Sequence, residues 1–126
     1  MKYAINSPNV PDEHGPYSQG TTAGRLVFAS GQLPYDPDDD TRIIDGDIKA
    51  QTHRTIDIIE TILAEVDCTL EDVAHVTVYL RHLSDMEDMN EAYGEHFHRP
   101  SPGRAVVEVS DLPLGSLIEM DCIACR

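Results

Sequence analysis

Basic side chains are scarce in this chain. Nine Lys and Arg stand against 23 Asp and Glu among 126 residues, for a formal net charge of −14. The only lysines are Lys2 and Lys49. Such a surface repels phosphate backbones and offers no basic stripe for counterion release, so nucleic acid is disfavoured as a partner. Long apolar runs are missing too. None approaches the roughly 20 residues that span a bilayer, so no membrane association is expected. The opening stretch Met1–Asn6 lacks the apolar core of an export signal, which points to a cytoplasmic protein. Cysteine is limited to Cys68, Cys122 and Cys125, an odd set that does not suit a disulfide framework. Cys122 and Cys125 have the spacing of a zinc or redox pair. They lie in a strand-like apolar run, however, where positions three apart face opposite sides, so both read as core thiols. No glycine-rich phosphate loop, Gly-x-Ser-x-Gly elbow or HExxH pattern occurs. The histidines are scattered, and His96 and His98 at a helix end do not share a helical face. Neither a metal nor a cofactor is expected.

What remains is an ordinary globular composition, 40% hydrophobic and 25% charged. The chain shows no repeat, low-complexity stretch or linker, and its length suits one domain over residues 1–126. The excess acid fits either a solvated acidic surface or adaptation to a salty cytoplasm, where screening removes self-repulsion.

The patterning predicts a short strand over Met1–Ile5 and an extended loop over Asn6–Gly20, rich in proline and glycine. A strand over Leu26–Ser30 should stop at Gly31, and the acidic stretch Tyr35–Asp40 reads as a solvated turn. Asp47 is a fitting N-cap for a helix whose stripe is Ile48, Thr52, Ile56, Ile59, Leu63 and Val66. Val73–Leu80 alternates as a strand, with Val76, Val78 and Leu80 on one face. A second helix should open on a capping box of Ser84 and Glu87 and carry Met86, Met89, Tyr93 and Phe97 inward. Pro100 and Pro102 prevent its continuation. Strands over Arg104–Val109 and Leu117–Ala124 complete the order. Two helices cannot cover both faces of a five- or six-stranded sheet, so an α+β fold with both helices on one face is expected. The other face keeps valines and isoleucines that self-association would bury.

Arg104 begins an apolar strand after Pro100-Ser101-Pro102-Gly103, with Val106 and Glu108 on its own face. A guanidinium there is a planar fork matched to a carboxylate, contributing about 1.5–3 kcal/mol per contact when partly desolvated. The competing reading is an ion pair with Glu108, Glu119 or Asp121. Glu119 sits between Ile118 and Met120, where a carboxylate is costly unless paired or working. Partial burial would raise its pKa towards a useful range for a base or water-orienting group. The competing reading is an edge carboxylate facing solvent. Ser30, beside Gly31, needs a nearby base to act as a nucleophile, and none is identifiable.

Several stretches together resemble the RidA/YjgF family of reactive-intermediate deaminases. They are Gly15-Pro16-Tyr17-Ser18-Gln19-Gly20, Val27-Phe28-Ala29-Ser30-Gly31-Gln32-Leu33-Pro34, Asn90-Glu91-Ala92-Tyr93 with Phe97, and Pro102-Gly103-Arg104 running into Val107-Glu108-Val109 and Leu112-Pro113. The ending Ile118–Ala124 is similar to the family's last strand. The resemblance implies a chorismate-mutase-like mixed sheet with two helices on one face, assembled as a homotrimer with pockets between subunits. It also implies hydrolysis of 2-imino and enamine acids, such as 2-aminoacrylate, to 2-keto acids and ammonia without a cofactor. On that resemblance Arg104 grips the substrate carboxylate, Tyr17, Ser30, Gly31 and Asn90 line the pocket, and Glu119 positions water or the substrate nitrogen.

The chain departs from the family pattern at five positions. Gly103-Arg104-Ala105 replaces the common Ala-Arg-Ser/Thr, and Val106 stands where some relatives have cysteine. Ile58 replaces an asparagine in the first helix, and Asp67 a glycine after it. These changes leave the arginine intact and bear on pocket shape and substrate preference. Two rivals share the sequence features: a trimeric protein that binds small carboxylates without turnover, and a ribonuclease, which the charge opposes.

Overall fold

The computed structural model describes residues 1–126 and contains eight strands and two helices. Strand β1 is Lys2–Ile5, β2 Gly20–Ala23 and β3 Leu26–Gln32. A hairpin of β4 (Tyr35–Asp36) and β5 (Asp39–Ile43) precedes helix α1, Ile48–Ala64. Strand β6 (Val73–Leu80), helix α2 (Met86–Gly94), β7 (Gly103–Glu108) and β8 (Ile118–Cys125) follow. Six strands form one sheet in the order β1-β2-β3-β8-β6-β7. All neighbours are antiparallel except β6 and β7, which run parallel because α2 carries the chain back between them.

Alternation along the central strands decides where the core lies. Val76, Val78 and Leu80 of β6 and Ile118, Met120, Cys122 and Ala124 of β8 are buried on one face. Helix α1 covers that face with Ile56, Ile59, Ile62 and Leu63, all fully buried, and packs against α2. Each such aliphatic side chain contributes about 1.5–3 kcal/mol on burial. Ile58 is also fully buried, so the apolar stripe of α1 is wider than a single row. Asp47 caps α1 by accepting the Ala50 N–H at 3.0 Å. No helix is long and apolar enough to cross a membrane. The opposite sheet face has no covering element. Phe28, Thr77, Tyr79 and Ile123 are half-buried there, and Val107 is exposed.

The structure departs from the sequence expectations at four places. The residues Gly20–Ala23, placed at and beyond the end of the loop, form β2 and pair with β3 through a tight connection at Gly24, whose φ is +61°. Strand β3 does not stop at Gly31. It continues to Gln32 with a register shift after Ala29, the mark of a bulge. The acidic stretch is a hairpin rather than a turn alone. Asp36 accepts the Asp38 N–H at 2.8 Å and Asp39 accepts the Thr41 N–H at 3.0 Å, so these carboxylates shape the backbone. The Ser84–Glu87 capping box does not form, because a short 3-10 turn, Leu83–Asp85, precedes α2. The Leu83 N–H instead donates to Glu108 of β7 at 2.8 Å. Asp67, where the resembling family has glycine, adopts φ +59°, a conformation aspartate tolerates better than most residues.

Candidate active site

Tyr17 lies on the long loop after β1, and a single amide side chain shapes that loop. Gln19, 2% exposed, accepts the Ser7 N–H at 2.6 Å and donates to the carbonyls of Ser7 (3.2 Å) and Pro11 (2.9 Å). Buried amides with every arm engaged hold a unique geometry, since losing one partner leaves a desolvated group. The Tyr17 hydroxyl accepts the His14 N–H at 3.2 Å. The Ser30 hydroxyl donates to the Ser18 carbonyl at 2.6 Å, and the Ser30 N–H to the Gln19 carbonyl at 3.0 Å. Ser30 therefore ties the loop to β3.

Glu119 projects from β8 to the uncovered face, opposite in phase to the buried Ile118 and Met120. Burial, and secondarily Asp121, raises its pKa above the ordinary glutamate value. Asp121 itself accepts a hydrogen bond from the Tyr79 hydroxyl at 2.9 Å. Tyr17, Ser30, Gly31 and Glu119 converge on one cavity of about 650 Å³. Leu33 also lines it, and further walls were not legible in the sequence: His14, Tyr35, Asp40 and Thr41 as a first group, with Pro113 and Leu114. The hairpin supplies most of the first group, and the Asp36 and Asp39 turn chemistry was the available signal for it. The phenol of Tyr35 is raised, first by burial and then by Tyr17, Glu119 and Asp40. Leu114 holds φ +59° although it is not glycine, and strained backbone of this kind gathers at functional sites.

The single chain does not bring all the expected residues together. Arg104 and Asn90 are exposed and do not line this cavity. Arg104 pairs in register with Val76, which places it on the helix side of the sheet. It joins none of the ion pairs, and its guanidinium lies 4.8 Å from the centre of the Tyr93 ring. Asn90 sits one turn before Tyr93 on α2. Burial pushes the Tyr93 phenol up to about 12 against the opposing pull of Arg104. The expected residues thus fall into two groups, Tyr17–Ser30–Gly31–Glu119 and Asn90–Arg104. Cys122 is buried and Cys125 exposed, and no group of three metal-ligating side chains converges. His96 meets His53 of α1 (Nε2 to Nδ1, 2.8 Å) rather than His98.

Known proteins resemble this chain in sequence and fold. The family model described as Endoribonuclease L-PSP matches residues 7–126. A RutC family protein of Pyrococcus abyssi is 47% identical, covering 98% of this chain and 96% of its own. Reactive Intermediate Deaminase A of Arabidopsis thaliana, a chloroplast protein, is 33% identical over 98% of this chain and 65% of its own length. The solved structure of E. coli TdcF with bound serine superposes with a TM-score of 0.87 at 30% identity, covering 98% of each chain. The α+β fold is the one these structures share. This chain belongs to the Endoribonuclease L-PSP family, the RidA/YjgF family.

Proposed function

We propose that this chain is a deaminase that hydrolyses reactive 2-imino acids and their enamine tautomers to 2-keto acids and ammonia. The substrates are small: 2-aminoacrylate with its tautomer 2-iminopropanoate, and 2-iminobutanoate. The observation that carries the reading is the state of Arg104. In a chain with 23 acidic residues, its guanidinium forms no ion pair and keeps its fork for an incoming carboxylate. The Arabidopsis relative carries the name of this activity, and the E. coli structure holds serine, a small molecule bearing the same carboxylate.

Arg104 and the Glu119 cavity lie apart within one chain, so the reading includes a homotrimer. In it, the cavity of one subunit faces Arg104 and Asn90 of its neighbour, and association covers Phe28, Ile123 and Val107. In the cleft Arg104 clamps the carboxylate and fixes the imine carbon. Glu119, shifted towards its protonated form, gives a proton to the imine nitrogen as water adds to that carbon. The carboxylate so formed takes a proton from the added water. The reprotonated Glu119 then gives its proton to the amino nitrogen and takes the hydroxyl proton as the carbon–nitrogen bond breaks and the carbonyl forms, releasing ammonia and the keto acid. One water is consumed and nothing is oxidised or reduced. Imines already hydrolyse in water, so positioning and local electrostatics supply what the reaction needs. A role in RNA cleavage is opposed by the −14 charge.

A dehydratase acting on threonine or serine generates the imine, and semicarbazide traps what survives. The wild-type protein is expected to lower semicarbazone yield, whereas Arg104→Ala leaves it at the buffer level. Wild type indistinguishable from buffer ends the enzymatic reading. Binding of 2-oxobutanoate without turnover would leave a carboxylate-binding protein. A monomer in sedimentation analysis would rule out the shared cleft.

A further inference from the structure

Arg104 rests on an aromatic ring rather than an acid. Tyr93 is 7% exposed, and its ring lies against Phe97 with centroids 4.5 Å apart. Its hydroxyl is buried without a hydrogen-bond partner, which destabilises the fold rather than supporting it. The hydroxyl therefore does not explain the residue, and the ring does. Two links from α1 flank Tyr93. Lys49 of α1 pairs with Glu91, and His53 of α1 meets His96 at 2.8 Å while its other nitrogen lies 3.2 Å from Glu95. The ring is fixed between these ties.

We propose that Tyr93 is a positioning residue for Arg104: its ring face seats the guanidinium and leaves the N–H fork open to the substrate carboxylate. This rests on the deaminase reading above. The physical reason lies in what each kind of partner occupies. A carboxylate partner binds the guanidinium edge and uses the N–H donors that a substrate needs. A ring beneath the guanidinium attracts the same charge through its quadrupole and uses none of them. In so acidic a chain, a guanidinium without such a seat would be drawn to the nearest acid. Glu108, on the same strand face, accepts the Leu83 N–H and forms no ion pair with Arg104.

The test replaces Tyr93 with phenylalanine, then with mono-, di- and trifluorophenylalanine, which drain the ring quadrupole at nearly constant size. The readouts are the Kd for 2-oxobutanoate by calorimetry, kcat and KM in the trapping assay, and Tm. Tyr93→Phe should bind within about twofold of wild type. Trifluorination should then weaken binding and raise KM by about 3- to 10-fold, with kcat nearly unchanged. In an Arg104→Ala background the series should be flat. A Kd that stays constant across the series while Arg104→Ala abolishes binding overturns the seat and spares the deaminase reading. Arg104→Ala with wild-type binding and activity would remove that reading and this inference together. A series that changes Tm alone assigns Tyr93 to the core and overturns the proposal.

Discussion

Gly31 and Glu119 occupy one another's space: a Cβ on Gly31 would lie 2.5 Å from a carboxylate oxygen of Glu119. The collision is with the far end of a flexible side chain, so the fold can relax but the carboxyl cannot stay in place. Gly31→Ala should therefore leave Tm within a few degrees and reduce imine hydrolysis by about 10- to 100-fold, the usual consequence of misplacing a reacting group by about 1 Å. Paired melting and trapping measurements check this. Loss of stability with full activity would contradict it.

Glu119→Gln separates chemistry from stability. Because burial raises the folded-state pKa of Glu119, the folded protein binds more protons than the unfolded chain between the ordinary and the raised value. Glu119 accordingly favours folding below its unfolded pKa, and this contribution is lost as pH rises through the folded one. The glutamine variant should melt higher than wild type at neutral pH, with the difference shrinking in acid. Its activity should fall about 100-fold, as expected for loss of a general acid–base group. Melting across pH 4 to 8 reads the first effect; equal Tm differences at all pH values would refute the assignment.

Gln19→Ala removes the amide that shapes the Tyr17 loop. It leaves the Ser7 N–H without its 2.6 Å acceptor, a loss of about 1–3 kcal/mol. Denaturant unfolding should show that destabilisation, and hydrogen exchange should rise across residues 7–19. Activity should fall with it, because Tyr17 no longer stands at a fixed place on the cavity wall.

Leu114→Gly tests backbone strain at the rim. Leu114 is 54% exposed with φ +59°, a region that costs a non-glycine residue roughly 1–2 kcal/mol. Glycine gives back about 0.5–1 kcal/mol through its unfolded freedom, so the variant should be slightly more stable than wild type. A rise of a few degrees in Tm, with a higher KM from the lost apolar wall, is the expected pair of results.

The elements with strong periodicity are legible in the sequence itself. The isoleucine stripe of α1 and the alternation of β6 and β8 each specify both the element and the face it buries. Short or polar elements are not legible in the same way. Strand β2 has four residues, and the β4–β5 hairpin is built from aspartates that resemble a solvated turn. Each is ordered by what it packs against rather than by its own composition. The expected capping box fails because Ser84 falls inside the 3-10 turn Leu83–Asp85, which moves the start of α2 past it to Met86. Ser30 is legible as a pocket position through resemblance, but its tie to the Ser18 carbonyl is not.

Sequence alone determined the charge of the molecule, its two helices, the faces of its central strands and the family pattern around Tyr17, Gly31, Arg104 and Glu119, because these depend on residue type and local spacing. Tertiary structure alone decided that Glu119 meets Gly31, that Arg104 lies over Tyr93, and that the two groups stand apart in one chain. Those relations join residues distant in sequence, and only strand order and register set the distances between them.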